Sequence, residues 1–139
     1  MDRPPPVKSI VRCNFDTGFV PPEMVKRGRP VIVLARDFQL CTVVPCSTTP
    51  PKRQYDTNAY YLKIEGRRPK GLDEEMWVKA DLVYTVCLSR LCSYFEKSLN
   101  GNKIYFYPQV SSVQFREIQQ CVLKRLGLNV SLDKTACTM

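Results

Sequence analysis

Three short stretches of this chain carry side chains able to handle a phosphate or move a proton. The first is Lys26-Arg27-Gly28-Arg29-Pro30. Basic residues that lead into a buried strand are pinned at its start, so Arg29 is better ordered than an arginine at a loop tip. Its planar guanidinium suits two-point contact with a phosphate and stabilisation of a charged transition state. A solvated turn that only keeps the chain soluble accounts for the same residues. The second stretch is Pro45-Cys46-Ser47-Thr48-Thr49-Pro50. Three hydroxyls at the end of a strand can donate to a phosphate or a base edge, although Ser and Thr also end strands beside proline for purely conformational reasons. The third is Lys79-Ala80-Asp81. In a strand, positions i and i+2 face the same way, which sets this ammonium beside this carboxylate. Such a pair serves as acid and base, as a phosphate clamp, or as a cross-strand salt bridge.

Composition narrows the chemistry. The 139 residues include 7 cysteines and no histidine, and the net charge is +8. Without histidine there is no Ser-His or Cys-His nucleophile, no His-ligated metal and no paired-histidine RNA cleavage. Proton transfer is left to carboxylates, Lys, Arg, Tyr, Cys and hydroxyls. The triplet Asp16-Thr17-Gly18 matches the motif of dimeric aspartic proteases, which share one proton between two carboxylates. Here Phe-Val-Pro-Pro follows it rather than a small residue opening a strand, and a turn explains the triplet without catalysis. The cysteines are Cys13, Cys41, Cys46, Cys87, Cys92, Cys121 and Cys137. Two pairs share a C-x4-C spacing, but Thr-Val-Val-Pro and Leu-Ser-Arg-Leu lie between them and read as strand, so the thiols are expected to be reduced, small core residues. No metal site and no cofactor are expected. The N-terminus lacks the apolar segment of a signal peptide and no apolar run approaches bilayer length, which predicts a soluble, cytoplasmic protein without membrane contact.

The elements that must position these residues follow from periodicity. Residues 1–7 are a Pro-rich, flexible lead, residues 8–128 a single domain and residues 129–139 a tail. A strand is expected over Val7–Phe15, then a loop over 16–28. Pro30–Leu34 is a β-branched run typical of a central strand buried on both faces, and Leu40–Cys46 completes a hairpin with it. A polar loop over Ser47–Tyr55, a strand over Tyr60–Ile64 and a basic loop over Gly66–Glu75 come next. Trp77–Val86 alternates, with Trp77, Lys79, Asp81 and Val83 on one side. Ile104–Tyr107 is a last short strand. One helix starts near Ser111 or Ser112, where Ser111 and Gln114 have capping-box spacing. It carries a core stripe of Phe115, Ile118, Val122 and Leu126 and stops at Gly127. Short strands, polar loops and one late helix predict a mainly β fold, a small bent barrel with a helix packed on it.

The order of these pieces resembles the PemK/MazF family of bacterial toxins. The resemblance rests on Cys13-Asn14-Phe15-Asp16, on Glu23 and Gly28-Arg29-Pro30-Val31-Ile32-Val33-Leu34, on Val43-Val44-Pro45-Cys46-Ser47-Thr48, on Asp81-Leu82-Val83 and on a helix ending Leu126-Gly127. It runs from about Val7 to Leu128. It implies an SH3-like barrel of the CcdB/MazF type with a C-terminal helix, and a ribosome-independent, metal-independent endoribonuclease. The arginine that stabilises the cleaved phosphate falls on Arg29. The hydroxyl that contacts that phosphate falls on Ser47, and the acidic residue of the preceding loop falls on Glu23, in a loop one residue longer. The basic-x-Asp pair falls on Lys79 and Asp81, where lysine in place of arginine loses the fork geometry. The histidine that assists in some members is absent, and the region Leu88–Tyr107 is longer and richer in aromatics than in compact members.

The implied reaction is attack of a ribose 2′-hydroxyl on the adjacent phosphate, leaving a cyclic phosphate and a 5′-hydroxyl, with Asp81 or Glu23 as base. Single-stranded RNA would be tracked by Lys26, Arg27, Thr48, Lys52, Arg53 and Lys79, and by the basic loop over 67–70. An acidic antitoxin protein and a second copy of the chain are the implied partners. The alternative is a catalytically inactive barrel of the same fold that binds an antitoxin, a topoisomerase or another protein partner.

Overall fold

Along the first three strands successive apolar side chains point in opposite directions, and both directions are buried. The computed structural model describes residues 3–50, 61–64 and 75–128. β1 (Ile10–Cys13), β2 (Arg29–Arg36) and β3 (Leu40–Ser47) form an antiparallel centre. Ile10, Ile32, Val44 and Cys46 enter one core, while Val11, Cys13, Val31, Val33, Cys41 and Val43 enter a second. Strand side chains alternate between faces, so the two cores lie on opposite sides of these strands.

The first core is completed by Ile64 of β4 (Tyr61–Ile64), by Met76 and Val78 of β5 (Met76–Lys79), and by Phe115 and Ile118 of α1 (Ser112–Arg125). The second is completed by Phe15, Met24, Leu88, Val86 of β6 (Tyr84–Cys87) and Leu91 of β7 (Leu91–Cys92). β8 (Tyr94–Lys97) and β9 (Lys103–Phe106) form a separate hairpin that sends Tyr94 and Phe106 to the first core.

The fold is mainly β with one C-terminal helix, as the sequence predicts. The large sheet runs β4-β5-β3-β2-β1-β7, with β6 also on β3. β3 is shared: Leu40–Val43 pair with β6, and Cys46 and Ser47 pair with β5. Pro45, which has no N–H to donate, sits at this changeover. No pairing among the described residues joins β4 to β7, so the bent sheet is open rather than a closed barrel.

The expected single strand over Trp77–Val86 is two strands. β5 and β6 pair with different stretches of β3, so the chain must turn between them, and the Leu82 amide donates to the Lys79 carbonyl at 3.0 Å. The helix begins as read. Gln114 N donates to Ser111 Oγ at 3.1 Å and Ser111 N to Gln114 Oε1 at 3.4 Å. It ends when Leu128 N donates to Leu123 O and Gly127 N to Lys124 O, with Gly127 at φ 76°. Leu126 is the C-cap and is exposed, so the core stripe ends a turn earlier than expected.

Cys13, Cys41 and Cys46 are buried, as expected of small core residues, whereas Cys87 and Cys92 are exposed. Cys41 and Cys46 are five residues apart on one strand and therefore enter different cores. Cys137 and the tail lie outside the described residues. In the lead, Pro5 is buried and the Pro4 carbonyl accepts from Arg36 at 3.2 Å.

The long β1–β2 loop is held from within by Arg90. Its Nη1 donates to the carbonyls of Asn14 at 3.0 Å and Thr17 at 2.9 Å, and its guanidinium lies 4.7 Å from the Phe19 ring centre. Asp16-Thr17-Gly18 forms the turn under this arginine. A Cβ on Gly18 would approach Arg90 to 3.1 Å, at a φ of +81° that already favours glycine. At the far end of the loop Gly28 N donates to Asn14 Oδ1 at 2.9 Å, and Phe15 N donates to Lys26 O at 3.1 Å.

Two outcomes follow. Arg90→Ala should release the loop, costing roughly 1–3 kcal/mol through the two lost charged hydrogen bonds and speeding trypsin cleavage after Lys26 and Arg27. Unchanged cleavage would show that the loop is held by other contacts. Burial pushes the Cys13 thiol from 9.0 up to about 12 and also raises Cys41. The folded state keeps protons that the unfolded chain loses, so stability is intact below about pH 9 and falls as pH rises towards 12. Urea unfolding at about pH 8 and about pH 10.5 should show this loss, reduced in Cys13→Ala.

Candidate active site

Residues paired across antiparallel strands point to the same face, and one such row crosses the bent sheet. Cys13 pairs with Arg29, Ser47 with Trp77, and Trp77 with Lys63. The β2–β3 register sets Val31 opposite Pro45, and two further residues along it set Arg29 opposite Ser47. The row therefore passes from the buried Cys13 through Arg29, Ser47 and the half-buried Trp77 to the exposed Lys63. Pro45 and Lys79 flank it on the same face, one step along β3 and β5. Arg29, Ser47 and Lys79 come from three separate stretches of the sequence, and the register sets them on one face.

Each side chain is positioned by backbone constraints. Gly28, at φ 69°, turns the loop into β2 immediately before Arg29. Arg29 Nε is buried and finds no acceptor among the described residues. A sheltered guanidinium N–H without an acceptor is a donor that an anion's oxygen can satisfy. Ser47 is 4% exposed, and its Oγ accepts from Thr49 N at 3.1 Å. That bond fills an acceptor site and leaves the hydroxyl hydrogen to donate. Thr48, next in the chain, is exposed. Lys63 bridges Glu75 at 2.9 Å and lies 5.9 Å from the Trp77 ring centre.

Asp81 lies in the turn after β5, so the strand periodicity that would set it beside Lys79 does not hold. Its position is related instead to Tyr84. The Tyr84 hydroxyl accepts from Met24 N at 2.8 Å, and its ring packs against Phe15 and Phe19 at 5.1 and 5.4 Å between centres. Burial holds the phenol above its usual 10.0; the negative charges of Glu23 and Asp81 both add to the shift, and the Met24 N–H opposes it. One neutral phenol thus stands within electrostatic reach of both carboxylates named from the sequence. Glu23 is itself fixed, its Oε1 accepting from Val20 N at 2.9 Å.

Lys26 and Arg27 are exposed on the same loop, and Arg27 approaches Asp16 at 3.9 Å. Lys52, Arg53 and the basic loop over 67–70 lie outside the described residues. Tyr84, Trp77 and Lys63 were not among the residues picked from the sequence. The shared alternation of Trp77 and Lys79 is a usable signal for Trp77. Nothing local marks Tyr84, whose role depends on where the β1–β2 loop folds back. Among the described residues no group of three or more His, Cys, Asp or Glu side chains clusters as metal ligands do. Among the described residues no helix is long and apolar enough to cross a membrane.

Comparison with known proteins bears on the family and the fold. Residues 7–124 match the family model of the PemK-like, MazF-like toxins of type II toxin–antitoxin systems. An uncharacterized protein of Haemophilus influenzae is 28% identical over 144 residues, spanning 94% of this chain and 95% of that protein. Among solved structures, the Mycobacterium tuberculosis toxin MazF-mt6 superposes with a TM-score of 0.55 at 17% identity, over 88% of this chain and 99% of that one. An endoribonuclease from a mycobacterial species superposes with a TM-score of 0.56 at 14% identity, over 94% and 100%. The structural likenesses speak for the fold, and the sequence match covers the strands, the row and most of the helix. The chain belongs to the PemK-like, MazF-like toxin family.

Proposed function

We propose that this protein is an endoribonuclease toxin that cuts single-stranded RNA without a metal ion. The observation that carries the reading is the row Arg29–Ser47–Trp77–Lys63, in which a sheltered cation and a hydroxyl adjoin an aromatic ring and a second cation. A scissile phosphate seated against Arg29 and Ser47 would accept from the guanidinium and the hydroxyl. The neighbouring base would stack on Trp77, and Lys63 and Lys79 would meet the next phosphates.

The ribose 2′-oxygen attacks phosphorus, forming the O2′–P bond as the P–O5′ bond breaks. Asp81 or Glu23 takes the 2′ proton, and the leaving 5′-oxygen takes a proton from solvent while Arg29, which stays charged, hydrogen-bonds to it. Arg29 also carries the charge that builds on the phosphorane. Tyr84 keeps its proton at neutral pH and, by accepting from Met24 N, holds the loop that carries Glu23. Lys26, Arg27 and Thr48 line the approach. The net charge of +8 serves RNA capture and equally the grip of an acidic antitoxin, and the family architecture supports a homodimer working in the cytoplasm.

Incubation with a long unstructured RNA in EDTA should give discrete cuts ending in cyclic phosphate and 5′-hydroxyl. Arg29→Ala should lower the rate at least about 100-fold and Tyr84→Phe about tenfold. The rate should show no imidazole inflection near neutral pH, since the chain has no histidine. Intact RNA at high protein concentration would sink the nuclease reading and leave a catalytically inactive, partner-binding protein of the same fold.

A further inference from the structure

The β8–β9 hairpin has two unlike faces. Tyr94 and Phe106 point into the first core, while Phe95, Lys103 and Tyr105, with Tyr107 beyond the strand, line a groove of about 700 Å³ against Arg3 and Arg12. The groove lies beside β7, the edge strand at the opposite end of the sheet from β4. It is also on the other face from the row, because Arg12 alternates with Cys13 along β1.

Its chemistry is specific. Lys103 Nζ lies 4.7 Å and the Arg12 guanidinium 5.8 Å from the Phe95 ring centre, and Arg12 also lies 5.7 Å from that of Tyr94. The Phe95 and Tyr105 rings stand 6.2 Å apart and tilted at 56°. Tyr105 and Tyr107 are 59% and 51% exposed. Arg12 donates to the Ser93 carbonyl at 3.3 Å, and its Nε finds no acceptor among the described residues. None of the described residues lining the groove is acidic. Exposed rings interleaved with cations suit bases stacked on aromatics with their phosphates held by basic side chains. An acidic peptide would need the cations and would leave the ring faces without a matching surface.

We propose that this groove is a second binding site for single-stranded RNA, separate from the site of cleavage, taking bases on Tyr105 and Tyr107 and phosphates on Lys103 and Arg12. It rests on the nuclease reading only in that RNA is the natural ligand. The probe is a fluorescein-labelled 2′-O-methyl RNA of about twelve nucleotides, which cannot supply the attacking hydroxyl. Its anisotropy is followed with the full chain, with sedimentation in parallel.

Tyr105→Ala should weaken binding about tenfold, and Lys103→Glu should weaken it and flatten its salt dependence, with sedimentation unchanged. Wild-type affinity in both variants would overturn the proposal, as would failure of the wild-type chain to bind. A fall in oligomer size on Tyr105→Ala would assign the face to self-association instead, and loss of binding to an acidic partner with RNA binding intact would assign it to protein. Cleavage of ordinary RNA separates the two readings. Tyr105-dependent binding without any cleavage keeps the groove and rejects the nuclease; cleavage with Tyr105-independent binding does the reverse.

Discussion

The burial of β2 and β3 on both faces is the constraint on which the site depends. Val31, Ile32 and Val33 are fully buried, as are Val43 and Val44 across from them. A slip of one residue in this pairing would move every side chain of a strand into the other core. Each core is filled by different partners, the helix on one side and the Phe15–Met24–Val86 group on the other, so such a slip has no compensating arrangement. The register is therefore fixed, and with it the meeting of Arg29 and Ser47. The two residues proposed to meet the phosphate owe their juxtaposition to apolar residues with no part in it.

The same constraint explains the opening of the sheet. With β2 on one edge of β3, the other edge must serve both β6 and β5, and Pro45 marks the handover. Beyond it the β5–β4 flap carries Trp77 and Lys63 away from the second core and into solvent. The row thus grades from a sheltered end, where Arg29 Nε has no acceptor among the described residues, to an exposed end at Lys63. Arg90 and Tyr84 perform a matching service for the β1–β2 loop. One fixes its first half by hydrogen bonds to carbonyls, and the other accepts from Met24 and brings Glu23 and Asp81 into a common field.

Much of this was legible in the residues. The β-branched run after Arg29, the hairpin with Leu40–Cys46 and the capping box at Ser111 each rest on local chemistry, and each stands where local chemistry set it. What could not be read was non-local. Alternation continues unbroken from Trp77 to Val86, so nothing marked the turn at Ala80–Leu82 that takes Asp81 out of the strand. Tyr84 gains its place only because a loop sixty residues earlier returns to it. The hairpin face over Phe95–Tyr107 showed as an excess of aromatics, but which of them were core and which were surface depended on a pairing the sequence does not announce. Cys87 and Cys92 fell outside the core for the same reason.

Trp77 is the single tryptophan of the chain and stands in the row beside Ser47, which makes it a direct reporter of the claim that RNA lies across this face. Titration of a non-cleavable single-stranded RNA, followed by tryptophan fluorescence, should quench the signal with the same midpoint as binding measured at the labelled end. In Arg29→Ala the quench should persist at a weaker midpoint. Tight binding that leaves Trp77 fluorescence unchanged would contradict the placement of the substrate on this row.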